Sequence, residues 1–280
     1  MDHPPKTTRH SRDQLIIKKG SHIYRPLNVW SKNVHEFLAY LHKNGFKQCP
    51  QFVKVENNKE VLMFVEGNVF NYPLKGDIAS TEALISATKL LKAFHKVSAS
   101  YLETLKINEA GTLKLNNQNQ TWMLQSQQPY EVICHGDFAP YNLALNGKQV
   151  VGVFDFDTIH PAPKLWDVAY AIYCFAPFKT NQDDKLGELS DQIARAKIFC
   201  DAYELDEMSR EKLVPMMIKR LTALVEFMTQ AAANNDVQFQ DNLNDGHHLA
   251  YRNDIRNLQK HEAEILKGLK ITINENQSNM

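Results

Sequence analysis

One stretch near the middle of the chain restricts the possible folds most, because it places polar residues among apolar runs. Residues 132–170 read VICHGDFAPYNLALNGKQVVGVFDFDTIHPAPKLWDVAY. Runs such as VVGVF have the composition of short buried strands, yet Asp137, Asn142, Asp155 and Asp167 lie among them. We therefore expect these carboxylates and this amide to form a functional site or its structural supports.

The residues before this stretch predict a small mixed unit. Residues 15–26 and 51–67 have the pattern of β-hairpins, and residues 31–45 between them carry apolar side chains at helical spacing. After Gly67 the spacing becomes mostly helical. We place a lobe boundary near Gly67.

The remainder of the chain predicts a larger, mainly helical unit. Helices are expected over 81–98, 212–233 and 247–269, and a polar loop over 108–120. His95, on the first of these helices, is expected to be a core histidine. The predicted fold class is α+β, with a small mixed lobe (residues 1–67) and a helical lobe (residues 68–280).

The amino-acid composition limits the classes of molecule that we expect the protein to bind. Lysine and arginine number 32, and aspartate and glutamate also number 32, so no overall charge attracts a polyanion or an anionic membrane. We expect neither nucleic acid nor membrane as a partner. The four cysteines show no CxxC pair, and the N-terminus lacks an apolar targeting segment, so we expect a cytoplasmic protein with reduced thiols.

Two carboxylates follow the strand-like run KQVVGVF. Asp155 and Asp157 are two residues apart, so both side chains lie on one face if the strand continues. Two carboxylates on one face repel unless a cation lies between them. Together with Asp137 and Asn142 they form an all-oxygen set, which is typical of Mg²⁺ bound beside phosphate.

The order of these residues resembles a known family. His135, Asp137 and Asn142 form H-x-D-x-x-x-x-N, and a short hairpin then leads to Asp155, which is similar to the catalytic core of kinases. The motifs HGDFAPYN, FDFD and LWDVAY resemble those of the aminoglycoside phosphotransferase and choline kinase family, and the resemblance is strongest over residues 130–175. The resemblance implies a two-lobed, protein-kinase-like fold.

The resemblance also implies a role for each residue of the set. Asp137 would be the catalytic base that accepts the proton of the substrate hydroxyl. Asn142 and Asp155 would hold Mg²⁺, and Asp157 would be either a further metal ligand or a loop anchor. Two residues would support the catalytic loop through hydrogen bonds, namely His135 and Asp167.

The N-terminal hairpin is expected to face the nucleotide. Residues 1–25 contain six basic and two acidic side chains. Arg25 stands at the strand position where kinases carry a lysine for the phosphates. By the same resemblance Met63, Phe64 and Val65 would border the nucleotide.

Two parts of the kinase pattern differ in this chain, namely the glycine-rich loop and the helix glutamate, and each has more than one candidate replacement. The hairpin has one glycine, Gly20, in place of a glycine-rich loop, and the hydroxyls available to bind phosphate instead are those of Thr7, Thr8 and Ser11. On the first helix, Glu36 is the nearest acidic partner for Arg25, with His35 as the alternative on that face.

The resemblance predicts a small-molecule kinase. The γ-phosphate of ATP or GTP would move, with Mg²⁺, to a hydroxyl of a small acceptor such as an amino sugar or amino alcohol. The alternative is a non-catalytic nucleotide-binding module that serves as a sensor or scaffold. Action on protein side chains is less favoured, because no activation-loop pattern follows FDFD.

Overall fold

The N-terminal part of the structure is a four-stranded antiparallel sheet. The computed structural model describes residues 15–107, 113–115, 118–119 and 121–270. The sheet has the order β1-β2-β4-β3 and consists of β1 (Ile17–Lys19), β2 (His22–Pro26), β3 (Phe52–Glu56) and β4 (Lys59–Met63). Both predicted hairpins are therefore present.

A single helix lies between the two hairpins in the sequence. Helix α1 (Ser31–Lys43) contacts β3. Its apolar residues Val34, Phe37, Leu38 and Leu41 have no exposed surface. The helical spacing in the sequence thus marks the face that is buried.

A long helix begins the C-terminal part. Helix α2 (Thr81–Thr104) starts after Ser80, whose side chain accepts a hydrogen bond of 3.1 Å from the Ala83 N–H. This helix contains the predicted segment 81–98 and continues beyond it.

A small antiparallel sheet follows α2. It consists of β5 (Lys106–Ile107), β6 (Leu113–Leu115) and β7 (Gln118–Asn119). The prediction of a loop over 108–120 is wrong for β6 and β7, because the polar residues of this stretch obscure the strand-like alternation Leu-Lys-Leu. Its remaining residues lie outside the described residues.

The central stretch forms two antiparallel strand pairs, β8 with β11 and β9 with β10. Their bounds are β8 (Val132–Cys134), β9 (Leu143–Asn146), β10 (Gln149–Val153) and β11 (His160–Ala162). Two 3₁₀ turns join them, Pro140–Asn142 and Phe156–Thr158. Of the polar residues singled out in this stretch, Asp137, Asn142 and Asp155 lie in these turns and in the connections beside them, whereas Asp167 lies in the helix that follows β11.

The regular elements that follow β11 in the described chain are all helices. The helices are α3 (Lys164–Phe175), α4 (Leu189–Tyr203), α5 (Glu207–Glu211), α6 (Leu213–Ala233), α7 (Val237–Asn244) and α8 (His247–Leu269). Helix α6 packs against α3, α7 and α8, while α2 packs against α4 and β8. The helices predicted over 212–233 and 247–269 are confirmed.

The core extends from α1 through the central strands into the C-terminal helices as one cluster of buried residues. It places the short strands between the N-terminal sheet and the helical part. No helix within the described ranges is long and apolar enough to cross a bilayer.

Candidate active site

A buried carboxylate holds the loop that follows β8. Asp167, on the first turn of α3, accepts hydrogen bonds from the backbone N–H groups of His135 (2.7 Å) and Gly136 (3.0 Å). His95 of α2 binds the same carboxylate at 3.0 Å. Burial alone would raise the pKa of Asp167, but His95 and these donors lower it to about 2. Asp167 is therefore an ionised anchor, and His95 is buried as predicted.

The same loop is fixed from its other side by the turn after β10. The His135 ring donates through Nε2 to the Phe154 carbonyl at 3.1 Å, and the Thr158 hydroxyl donates to the His135 carbonyl at 2.9 Å. Gly136 has a φ of 82°, and a Cβ there would lie 2.3 Å from the Thr158 carbonyl oxygen. Only glycine permits this backbone approach.

Asp137 projects from the anchored loop and is partly buried. Tyr141 donates to its Oδ1 at 2.7 Å, and the Asn142 side-chain amide donates to its Oδ2 at 2.9 Å. Burial and, to a lesser extent, the negative charge of Asp155 raise the pKa of Asp137 to about 6, although the Tyr141 hydrogen bond opposes them. A carboxylate with this pKa is ionised at neutral pH and is well matched to accepting a proton.

Asp155 and Asp157 are brought together by a turn rather than by a strand. Strand β10 ends at Val153, Asp155 has a left-handed φ of 64°, and a 3₁₀ turn follows. The strand does not continue to Asp155, so strand alternation, expected only if it did, does not align the two carboxylates. Both still contact one cation, since the Arg25 guanidinium lies 3.3 Å from Asp155 and 2.7 Å from Asp157.

Arg25 has its third acidic partner on the neighbouring strand. It pairs directly with Glu60 of β4, the residue opposite it in the sheet, and His35 of α1 binds the second oxygen of Glu60. Glu36 instead lies 4.0 Å from Lys32 and is not the partner. Burial would lower the pKa of Arg25, but the three carboxylates raise it above its ordinary value.

A cavity of about 410 Å³ lies between the N-terminal sheet and the central strands. The predicted nucleotide-binding residues line it together with two of the predicted metal ligands: Arg25, Met63, Phe64, Val65, Asn142 and Asp155. The Phe64 N–H donates to the Ser21 carbonyl at 2.7 Å, so this donor is already used within the sheet. The cavity is mainly apolar at the segment after β4 and charged at its opposite end.

A second cavity of about 280 Å³ adjoins the first and shares Arg25 and Asp155 with it. Asp137 lines only this second cavity of the two, beside Tyr141. Helices α6, α7 and α8 contribute the opposite wall, which includes Tyr251. The two cavities thus meet at the Arg25–Asp155 pair, with Asp137 next to the junction.

Two contributors to the site are missed by sequence reasoning. Tyr141 lies inside the HGDFAPYN motif and was detectable there as a hydroxyl donor next to Asp137. Arg220 of α6 is 3% exposed, donates to the Gly136 carbonyl at 2.5 Å and lies 4.5 Å from the Tyr170 ring centre. Its only sequence signal is an arginine within an apolar helix.

The donor set fits Mg²⁺. Asn142 and Asp155 line the same cavity. The side-chain nitrogen of Asn142 donates to Asp137, so the side-chain oxygen of Asn142 points away from Asp137. Amide and carboxylate oxygens are the ligands that Mg²⁺ takes beside phosphate. Asp157 is less exposed than Asp155, 19% against 50%, and is held by Arg25. Residues Thr7, Thr8 and Ser11 lie outside the described residues.

Two solved structures that share the fold of this chain are described as an ethanolamine kinase and a choline/ethanolamine kinase family protein. An ethanolamine kinase from Plasmodium vivax is 12% identical with a TM-score of 0.55, covering 85% of this chain and 83% of that one. A choline/ethanolamine kinase family protein from Mesorhizobium loti is 11% identical with a TM-score of 0.56, covering 91% and 88%. The predicted two-lobed, kinase-like fold is confirmed. No curated protein sequence matches the chain significantly.

A family model gives the assignment. The model described as the phosphotransferase enzyme family matches residues 23–199, which contain every predicted site residue from Arg25 to Asp167. The match confirms the resemblance drawn from HGDFAPYN and the predicted enzyme class, a small-molecule kinase. The chain belongs to the phosphotransferase enzyme family.

Proposed function

We propose that the protein transfers the γ-phosphoryl group of ATP or GTP, with Mg²⁺, to a hydroxyl of a small acceptor such as an amino sugar or amino alcohol. One observation carries the proposal: Asp137 lines an acceptor-sized cavity that shares Arg25 and Asp155 with a mainly apolar cavity. Residues 1–67 would bind the nucleotide, and residues 68–280 would supply catalysis and acceptor binding.

The base is the first part of the mechanism. The Asp137 carboxylate accepts the acceptor's O–H proton as the oxygen forms its bond to the γ-phosphorus, and the bond from that phosphorus to the bridging oxygen breaks to release the nucleoside diphosphate. Asp167, His135 and Gly136 keep Asp137 aimed through the hydrogen bonds of the loop.

The charged residues that would face the phosphates are the second part of the mechanism. Asn142 and Asp155 would hold Mg²⁺, which neutralises charge on the phosphates during transfer. Arg25 positions the two aspartates and presents its cation to the phosphates, while Asp157 keeps Arg25 in place through the 2.7 Å contact. Met63, Phe64 and Val65 would border the base and exclude water. Catalysis is then mainly positioning and electrostatic stabilisation.

The test is release of nucleoside diphosphate from Mg-ATP and Mg-GTP in the presence of a panel of amino sugars, amino alcohols and sugars. Asp137→Asn is expected to lower kcat by about 10²- to 10⁴-fold, the usual worth of a general base, without changing nucleotide affinity. The matched control is Asp183→Asn, an exposed aspartate remote from both cavities, which should leave kcat unchanged.

Two outcomes would contradict parts of this proposal. Full turnover in Asp137→Asn would remove Asp137 from the role of base. A nucleotide that raises the melting temperature, with no acceptor supporting transfer, would favour the non-catalytic nucleotide-binding module instead.

A further inference from the structure

A larger cavity, of about 510 Å³, opens beside Arg220 and adjoins the cavity of Asp137, with which it shares Leu124, Arg220, Leu224 and Phe227. Residues 124–127, His160, Trp166 and the face of α6 from Lys219 to Gln230 surround it. Among the described residues that line it there is no member of the set Asp137, Asn142 and Asp155. Its volume lies within the range of about 300–1,000 Å³ that is typical of small-molecule sites.

The walls of this cavity carry an excess of positive charge. Lys219 and Arg220 are the cations among its described lining residues, and Glu226 is the acid. Burial lowers the pKa of His160 to about 4, and Trp166 donates to its Nε2 at 3.0 Å, so the His160 ring is neutral. The cavity therefore favours an anion.

Arg220 is a buried cation without a carboxylate partner. Across the described part of the chain, no carboxylate oxygen lies within 4.0 Å of its nitrogens, and its buried Nε has no hydrogen-bond partner. Its contacts are the Gly136 carbonyl and the rings of Tyr170 and Trp166, at 4.5 and 5.4 Å. A buried charge of this kind is costly unless an opposite charge approaches it.

The cavity also has an apolar part. Trp166, Ala223, Leu224 and Phe227 line it beside the two cations. We propose that this cavity is a second binding site, and that its ligand is a small organic anion, a phosphate or carboxylate attached to an apolar body.

The proposed site is connected to the catalytic loop most directly through Arg220, and also through His160, which hydrogen-bonds the Thr158 carbonyl at 2.8 Å. Arg220 lines both this cavity and the cavity of Asp137, and it donates to the carbonyl of Gly136, the residue before Asp137. An anion that draws the guanidinium toward itself would act on the backbone that positions Asp137. Binding itself does not depend on the proposed function.

The test is isothermal titration of the full chain with three probes. Phenyl phosphate and benzoate carry an apolar body with a phosphate or a carboxylate, and inorganic phosphate lacks the apolar body. At least one of the first two is expected to bind with a Kd of about 1 mM or tighter, and more tightly than inorganic phosphate. The stronger of the two identifies the anionic group that the site prefers.

Variants locate the binding. Lys219→Glu reverses a charge on an exposed side chain, and Ala223→Phe fills the cavity. Each should weaken probe binding by about tenfold or more, equivalent to 1.4 kcal/mol. Lys260→Glu, at an exposed lysine of α8 outside the cavity, should have no effect. Mg-ATP affinity is measured for each variant to show that the nucleotide site is intact.

The proposal is overturned if neither organic probe binds, or if Lys219→Glu and Ala223→Phe bind the probes as well as the unchanged protein. The second result would place the anion elsewhere, for example in the nucleotide cavity. Lys219→Glu keeps the test decisive if Ala223→Phe does not fold, because Lys219 lies at the surface.

Discussion

Two arginines line the cavity of Asp137, the partly buried Arg25 and the buried Arg220, and their surroundings differ. Arg25, in the N-terminal sheet, contacts Glu60, Asp155 and Asp157. Arg220, on α6, contacts a backbone carbonyl and two aromatic rings. The first charge is balanced within the protein and holds a cluster of acids in place. The second has no carboxylate within 4.0 Å among the described residues and acts on Asp137 over a longer distance, so the two arginines have different functions.

The largest effect is expected from removing the balanced charge. Arg25→Met leaves Glu60, which has no exposed surface, with His35 as its remaining partner among the described residues. Breaking a buried pair in this way should lower the free energy of unfolding by about 3–5 kcal/mol, measured by urea titration. The double variant Arg25→Met/Glu60→Gln should recover part of the loss, and a single-variant loss under about 1 kcal/mol would mean that the pair does not form in solution.

A smaller loss of stability is expected from removing the other arginine. No carboxylate of the described residues lies within 4.0 Å of Arg220, so Arg220→Met leaves none without its partner. The free energy of unfolding should fall mainly by the loss of one charge-assisted hydrogen bond, about 1.5–3 kcal/mol. Arg252→Met, at an exposed arginine of α8, is the control and should change stability by less than about 0.5 kcal/mol. A loss as large as that of Arg25→Met would show that Arg220 balances a buried acid after all.

The pH dependence of activity distinguishes the arginines further. Burial raises the pKa of Asp137 to about 6, so kcat/KM should fall as the pH is lowered through that value. The charge of Arg220 and the hydrogen bond of Tyr141 both lower the pKa of Asp137. Arg220→Met and Tyr141→Phe should therefore each move the acidic limb of the profile to higher pH, whereas Arg252→Met should leave it in place. A limb that does not move in either variant would assign it to another group.

The smallest effect is expected on the free energy of unfolding when Asp137, the proposed base, is replaced. The pKa of Asp137 in the folded protein is above its ordinary value of 3.8, so the folded state favours the protonated form. The resulting penalty is absent below about pH 4 and is complete above about pH 6. A shift from 3.8 to about 6 corresponds to a penalty of about 3 kcal/mol. Asp137→Asn recovers only part of it, because an amide nitrogen cannot accept the Asn142 hydrogen bond as the carboxylate oxygen does, so the free energy of unfolding should rise by about 1 kcal/mol at pH 8 but not at pH 4. Equal effects at both pH values would rule out this explanation.

Features of the fold and of the site were easier to predict where the interacting residues are close together in the sequence. Asp137, Tyr141 and Asn142 belong to one short motif, and their mutual hydrogen bonds are local. The hairpins and the long helices were predictable for the same reason, because their periodicity is a local property. The roles assigned to these site residues stay predictions until the variants are measured.

Interactions between distant segments were not predictable. Glu60 becomes the partner of Arg25 only through the pairing of β2 with β4, which no motif specifies. Arg220 lies 84 residues from Gly136. The alignment of Asp155 with Asp157 depends on a left-handed residue, whereas strand alternation predicts an extended one.

The contact between Gly136 and Thr158 has a consequence for how this chain tolerates sequence change. Any side chain at position 136 would push away the Thr158 carbonyl, and the Thr158 hydroxyl bond to His135 would be disturbed with it. Gly147, in the β9–β10 turn, has a similar positive φ of 54° but open space around it. In a library of random variants selected for turnover, glycine should be the sole residue recovered at position 136, while asparagine or aspartate should also survive at position 147.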